Sequence, residues 1–242
     1  MKLTDYKVLS FDCYGTLIDW ESGILENLWP LIQKLDYTPV PDKILETHAK
    51  FEARTQSLHP DLKYPQLLSR VYEQIAAEWD ISIDPDESRN YGNSVGTWPA
   101  FDDSVSALKT LKKHFQLVIL SNVDNTSFSK SNNRLEVEFD DIITAEDVGS
   151  YKPNPNNFRF MLGKLAQKGI EKHDILHVAE SLFHDHIPAN HFELDNCWIY
   201  RRYQKEGYGA TKTPEKMPTF NFRYNSMKEL ADAVVDENIT VE

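Results

Sequence analysis

A short apolar run that ends in an aspartate constrains the fold of this chain more than any other feature. Residues 6–11 contain no glycine or proline and predict a buried strand, and Asp12 follows directly, with Gly15 and Thr16 just beyond. In an open α/β sheet, ligands bind at the carboxyl ends of the strands, where such a carboxylate would lie. An aspartate in this position more commonly caps a turn or helix, so position alone leaves both interpretations open.

The stretch after this strand predicts helices only. Apolar residues recur at helical spacing over residues 20–36, 43–58 and 64–79, and a weaker pattern covers 87–95. Pro30 predicts a bend or a split in the first helix, and Asp42 is the expected N-cap of the second. The aromatic side chains of this stretch are expected in its core rather than around a ligand: Trp29, Tyr72 and Trp79.

From residue 98 onward, strands alternate with helices. The sequence predicts strands over 115–120, 139–144, 175–179 and 197–200, with an edge strand at 220–222, and helices over 104–114, 154–169 and 226–235. This alternation is typical of an α/β fold with a parallel sheet. We therefore predict a core of residues 1–16 and 98–242, with an all-helical cap over 17–97 inserted after the first strand as a lid.

Each of four predicted strands is followed by polar residues. The carboxyl ends of parallel strands meet at one edge of a sheet, so these side chains are expected to converge. They are Asp12 after the first strand, Ser121 and Asn122 after the second, Lys152 after the third, and Glu180, Ser181 and Asp185 after the fourth.

These motifs, in this order, resemble those of the haloacid dehalogenase superfamily. The segment FDCYGTLID is similar to its first motif, and the serine, the lysine followed by proline, and the acidic pair are similar to the other three. The resemblance implies a Rossmann-like core with a helical cap, and Asp12 as a covalent nucleophile whose ester is hydrolysed by water. The DxYGTL pattern resembles the L-2-haloacid dehalogenase branch in particular.

The resemblance assigns a role to each candidate. Asp12, Lys152 and Asp185 are the predicted catalytic residues, and Lys152 would hold the substrate anion and offset its repulsion by Asp12. The predicted substrate-binding residues are Tyr14, Ser121, Asn122, Glu180 and Ser181. The structural alternatives are a surface lysine in a turn for Lys152, a helix N-cap for Ser121 and a helix start for Asp185.

Tyr14 separates two reactions. Phosphatases of the superfamily carry a second aspartate at this position, where it protonates the alkoxide leaving group. A halide ion is a very weak base that needs no proton, so the tyrosine favours dehalogenation.

Other positions depart from the dehalogenase branch. Glu180, Phe158 and Leu182 stand where the branch usually has Ser, Tyr and Asn, and the cap arginine has no certain counterpart, although Lys50 and Arg54 lie in the expected helix. Glu180 could pair with Lys152. Alternatively, Mg²⁺ could bind at Asp12, Tyr14, Glu180 and Asp185.

We therefore predict a hydrolase, a 2-haloacid dehalogenase that acts through an aspartyl ester on a short 2-haloalkanoic acid and requires no cofactor. The alternatives are a Mg²⁺-dependent phosphatase of small metabolites and a non-catalytic relative.

Charge and composition bear on partners and location. A net charge of −12 argues against a nucleic-acid partner but allows a positive pocket for a small anionic substrate. No apolar run is long enough to span a membrane, and the start lacks a secretory signal, so a cytoplasmic location is expected.

Cys13 and Cys197 are expected as reduced thiols, and the resemblance allows a homodimer. A transition-metal site at His184, His186 and His191 is the less favoured interpretation of that cluster.

Overall fold

The computed structural model describes residues 2–239 and contains a six-stranded, fully parallel sheet in the order β3-β2-β1-β4-β5-β6. The strands are β1 (Val8–Phe11), β2 (Gln116–Ser121), β3 (Asp141–Thr144), β4 (Ile175–Ala179), β5 (Asn196–Ile199) and β6 (Phe222–Tyr224). The predicted α/β class and Rossmann-like parallel sheet are confirmed. The edge strand lies two residues later than the sequence predicted.

The first strand is the centre of the sheet. Leu9 pairs with Leu117 of β2 on one side and with Leu176 of β4 on the other, and every residue of β1 is buried. A strand covered on both faces is mostly apolar rather than alternating, and three of the four residues from Val8 to Phe11 are apolar, which is why this run identified the strand. This position places Asp12 at the middle of the sheet's carboxyl edge.

Four helices and a 3₁₀ turn (Ser94–Thr97) follow β1: α1 (Trp20–Ile32), α2 (Pro41–Leu58), α3 (Tyr64–Glu78) and α4 (Pro85–Gly92). The helical character of this block agrees with the prediction, while the domain boundaries at 16/17 and 97/98 stay a prediction. Helix α1 runs through Pro30 without a break, so a split there is wrong.

Two expectations for the block need correction. Val40 precedes Pro41 at the start of α2, so Asp42 is not the N-cap; its carboxylate instead accepts from Arg202 over 2.8 Å. Trp29 is 48% exposed and does not belong to the core of the block, because its position lies on the outer face of α1. Tyr72 is buried and Trp79 is partly buried, as predicted.

The rest of the chain supplies helices α5 (Ser104–Leu111), α6 (Asn125–Leu135), α7 (Ala145–Val148), α8 (Pro155–Ala166), α9 (Ile187–His191) and α10 (Met227–Ile239). The sequence analysis missed α6, whose composition is mostly polar. Asp124 caps it by accepting from the backbone N–H groups of Thr126 and Ser127, and Phe128 and Leu135 are its buried apolar side chains.

The helical block lies over the carboxyl edge of the sheet. Lys63 of the block forms an ion pair of 2.6 Å with Glu146, just after β3, and Glu21 forms one of 2.6 Å with Arg202, just after β5. The hydroxyl of Tyr151 also donates to the backbone oxygen of Leu62. These contacts close the block over the strand ends that carry the candidate site.

Candidate active site

Asp12 is held by two donors at the end of β1. Its Oδ1 atom accepts from Lys152 Nζ over 2.9 Å, and its Oδ2 atom accepts from the Thr16 hydroxyl over 2.8 Å. The Thr16 hydroxyl in turn accepts from the backbone N–H of Glu180 over 2.9 Å. Thr16 lies within the first motif but was not selected as a site residue.

Lys152 is 1% exposed and uses all three of its ammonium hydrogens. Besides Asp12, its Nζ atom donates to Oδ1 of Asp185 over 2.7 Å and to the backbone oxygen of Leu120 over 2.8 Å. The side chain of Asn122 fixes the lysine's backbone, accepting from its N–H over 2.6 Å and donating to its oxygen over 3.1 Å. Lys152 is therefore not a surface lysine in a turn.

Asp185 lies in a short π-helical turn (Leu182–His186) after β4. Its Oδ1 atom, bound by Lys152, also lies 3.0 Å from Nε2 of His177, whose Nδ1 atom is bonded to Ser10 over 2.9 Å. Its Oδ2 atom is buried and has no hydrogen-bond partner. The free oxygen can accept a proton from a bound water.

The ammonium group of Lys152 is shared by the buried carboxylates of Asp12 and Asp185, and this sharing shifts the pKa values of all three residues. Burial raises the pKa of Asp12, and Lys152 opposes that shift. Burial alone would raise the pKa of Asp185, but Lys152 and His177 hold it well below its usual range. Burial alone would lower the pKa of Lys152, yet the two carboxylates outweigh it and raise that pKa.

Asp12, Lys152 and Asp185 line a small cavity of about 30 Å³ between the sheet edge and the helical block. Of the predicted substrate-binding residues, Tyr14, Asn122 and Ser181 also line it, whereas Ser121 and Glu180 do not; the binding role stays a prediction. The remaining lining residues, most of them from the helical block, were not predicted: Trp20, Glu52, Gln56, Tyr64, Val123 and His184.

The hydroxyl of Tyr14 has a hydrogen-bond partner, whereas the hydroxyl of Ser121 has none. The Tyr14 hydroxyl donates to Ser131 over 2.8 Å, and its ring stands edge-on to Trp98, with the ring centroids 5.8 Å apart. Position 14 therefore offers a ring face and no acid. The Ser121 hydroxyl is buried without a partner, so a ligand oxygen could bind it.

Glu180 does not line the cavity. Its Oε2 atom accepts from the Thr211 hydroxyl over 2.9 Å, and burial raises its pKa to about 8. The alternative in which Glu180 pairs with Lys152 is wrong, because Lys152 is fully engaged by Asp12, Asp185 and Leu120.

The carboxylates considered for a magnesium ion contact other groups in this structure. Lys152 Nζ already lies between Asp12 and Asp185, and the carboxyl group of Glu180 is turned to Thr211. Across residues 2–239, no three His, Cys, Asp or Glu side chains are grouped to hold a metal ion.

The histidine cluster does not form a metal site either. His186 is bonded to Asn196 and to the backbone oxygen of Ala179, at 2.7 and 3.0 Å, and His191 is exposed. His184 faces the cavity, where its Nδ1 atom lies 3.1 Å from the Ser181 hydroxyl.

The side chains that differ from the dehalogenase motifs do not line the cavity. Lys50 and Arg54 line a separate groove of about 710 Å³ and not the cavity. Phe158 packs edge-on against the His177 ring, with centroids 5.0 Å apart, and supplies no hydroxyl.

Both thiols, Cys13 and Cys197, are buried and free, as predicted. No helix within residues 2–239 is long and apolar enough to cross a membrane.

Comparison with known proteins agrees with this geometry. A model of the haloacid dehalogenase-like hydrolases matches residues 6–182. An (S)-2-haloacid dehalogenase from Pseudomonas putida is 25% identical over 210 residues, which is 79% of this chain and 83% of that protein.

Two solved structures show the same fold at low identity. The L-2-haloacid dehalogenase from Xanthobacter autotrophicus, with chloropropionic acid covalently bound, is 16% identical with a TM-score of 0.76, over 95% of this chain and 98% of that one. A HAD-hydrolase from Bacillus subtilis bound to magnesium is 18% identical with a TM-score of 0.71, over 95% and 99%.

Proposed function

Because this chain belongs to the haloacid dehalogenase-like hydrolases, we propose that it hydrolyses a short 2-haloalkanoic acid through an ester formed on Asp12. The observation that carries the proposal is at position 14, where the Tyr14 hydroxyl is bonded to Ser131 and the side chain supplies no carboxylic acid. A carbon–halogen bond can break there without a proton donor, whereas a phosphate ester would lack the acid that phosphatases of the superfamily carry at this position.

In the first step, a carboxylate oxygen of Asp12 forms a bond to C2 of the substrate, and the halide leaves with the electron pair of the carbon–halogen bond. Lys152 offsets repulsion between the two carboxylates as they approach. The free Ser121 hydroxyl supplies a donor for the substrate's carboxylate, and attack from the far side inverts C2.

In the second step, water adds to the carboxyl carbon of Asp12, and its oxygen stays with the aspartate. One water proton goes to the departing 2-hydroxy acid and the other leaves through Asp185, whose Oδ2 atom is free to accept it. The nucleophile is thereby regenerated, and the products are a halide, a proton and a 2-hydroxy acid.

The small volume of the cavity limits how a substrate can enter. A volume of about 30 Å³ holds one or two waters and no haloacid. Gln56 and Tyr64 line it from the helical block, so we expect that block to move when substrate binds.

The test is halide release from L-2-chloropropionate in excess EDTA, followed by single turnover in oxygen-18 water. We expect metal-independent release with inversion at C2, and label in Asp12 by mass spectrometry. Asp141→Asn is the matched control, because Asp141 is paired with Lys164 and Lys168 away from the cavity. Brisk, Mg²⁺-dependent phosphate release without halide release would instead establish the phosphatase alternative.

A further inference from the structure

Glu52 brings an additional carboxyl group to the catalytic cavity. It lies on α2, is 5% exposed, and lines the same cavity as Asp12. Its Oε1 atom accepts from the Tyr64 hydroxyl over 2.8 Å and from Gln56 Nε2 over 3.3 Å. With Oε1 occupied by two donors, Oε2 is the atom left to carry a proton.

Among residues 2–239, no lysine or arginine forms an ion pair with Glu52 or shifts its pKa. His48 Nδ1 lies 3.9 Å from Oε2, but burial lowers the pKa of His48 to about 3, so the ring is neutral. The titratable groups that other helices and loops bring towards it are tyrosines, whose pKa values burial raises: Tyr64, Tyr91 and Tyr151.

The groups on the opposite side of the cavity do not offset the negative charge of an ionised Glu52 either. Lys152 is bonded to Asp12 and Asp185, and burial lowers the pKa of His184 to about 4. A buried carboxyl without a cation favours its uncharged acid form, and burial raises the pKa of Glu52 to about 7.

The geometry of the reaction gives this acid a place to act. Displacement at C2 is in line, so the leaving halide points away from Asp12, which lies on the sheet, and towards the helical block. None of the cations of α2 lines the cavity: Lys50 and Arg54 line the separate groove, and Lys43 pairs with Glu46. Glu52, Gln56 and Tyr64 are polar side chains that the block does present, together with the indole of Trp20.

We propose that Glu52, in its protonated form, is the hydrogen-bond donor that receives the leaving halide, in place of a cap cation. The inference rests on the proposed dehalogenation. The proton stays on Glu52 throughout, because a halide is too weak a base to take it; the O–H group only stabilises the developing negative charge. Ionised Glu52 would have no hydrogen to donate and would repel the halide.

The sign of the pH dependence follows from this. Below about pH 7, Glu52 carries its proton and donates; above it, the carboxylate opposes the reaction. The rate of halide release should therefore fall as pH rises through about 7 in the parent protein. In Glu52→Gln this alkaline fall should disappear, because a neutral amide donates at every pH.

Glu180→Gln is the matched control, since burial also raises the pKa of Glu180 but its carboxyl is bonded to Thr211 outside the cavity. The control should keep the alkaline fall of the parent. Glu52→Leu, which has no donor, should lose about tenfold to a hundredfold of the rate at every pH. Circular dichroism and the melting temperature of each variant verify that it folds.

A binding measurement separates this inference from the proposed function. Chloride binding, followed by broadening of the chloride NMR line, needs no turnover. We expect binding below about pH 7 that weakens above it, persists at high pH in Glu52→Gln and is lost in Glu52→Leu. That result without haloacid turnover would support Glu52 and refute the dehalogenation; turnover with the same alkaline fall in parent and Glu52→Gln would overturn the role of Glu52.

Discussion

Lys152 donates to Oδ1 of Asp12 over 2.9 Å, although the two residues lie 140 positions apart in the chain. The same ammonium group bonds Asp185 over 2.7 Å, so the charge of one buried lysine is divided between two carboxylates. Such a cluster is costly to disrupt, because removal of one member leaves the others buried without compensation. The first two predictions follow from this cluster.

Asp12→Asn should lower halide release by at least about 10⁴-fold, since an amide is not a nucleophile and the loss of a nucleophile acts on this scale. The side-chain volume is nearly unchanged, so the fold should persist. Single-turnover halide release checks the rate, and the melting temperature checks the fold. Turnover at the parent rate would rule out the covalent mechanism.

Lys152→Met should lower activity by at least about a hundredfold and destabilise the protein by about 3–5 kcal/mol, because Asp12 and Asp185 then face each other without a cation. The double variant Lys152→Met with Asp185→Asn should recover much of the stability and none of the activity. Thermal unfolding and halide release measure the two effects. Lys164→Met, at an exposed ion pair with Asp141, is the control and should change stability by less than about 1 kcal/mol.

Thr16→Val should lower activity by about tenfold or more and stability by about 1–3 kcal/mol. The substitution removes a donor to Asp12 and leaves the buried backbone N–H of Glu180 without its acceptor. Thr16→Ser keeps the hydroxyl and should stay near the parent in both measurements. Equal losses in the two variants would show that the methyl group, and not the hydrogen bonds, is what matters.

Glu180→Gln should stabilise the protein at alkaline pH. Burial raises the pKa of Glu180 from 4.5 to about 8, so the folded state binds a proton that the unfolded state has released, and stability falls as pH rises across that interval. Near pH 5 the variant and the parent should melt alike; above about pH 8 the variant should melt at least about 2–4 °C higher. An unchanged difference across this range would mean that Glu180 is ionised in the fold.

The sequence alone located the residues at the strand ends. Asp12, Ser121, Lys152 and Asp185 each follow a strand that hydrophobic periodicity identifies, and parallel strands bring their carboxyl ends to one edge. For the same reason the α/β class and the helical block after β1 could be predicted. Elements with weak apolar patterns were less predictable: α6 was missed because its composition is mostly polar, and β6 was placed two residues early.

Only the tertiary structure decided which side chains of the helical block face Asp12. Successive helix residues are turned by about 100°, so Lys50 and Arg54 are rotated about 200° from Glu52 and Gln56, and nothing local fixes which pair points to the sheet. Packing of α2 placed Glu52 in the cavity and the cations outside it. The hydrogen-bond partners of Glu180 and Asp185 could not be predicted from the sequence either, because they are distant in the chain. Glu180 contacts Thr211, and Asp185 contacts Lys152 and His177. The sequence thus determined Asp12 as the candidate nucleophile and Lys152 as its candidate partner, while the fold decided the charge and chemistry of the surface that covers them.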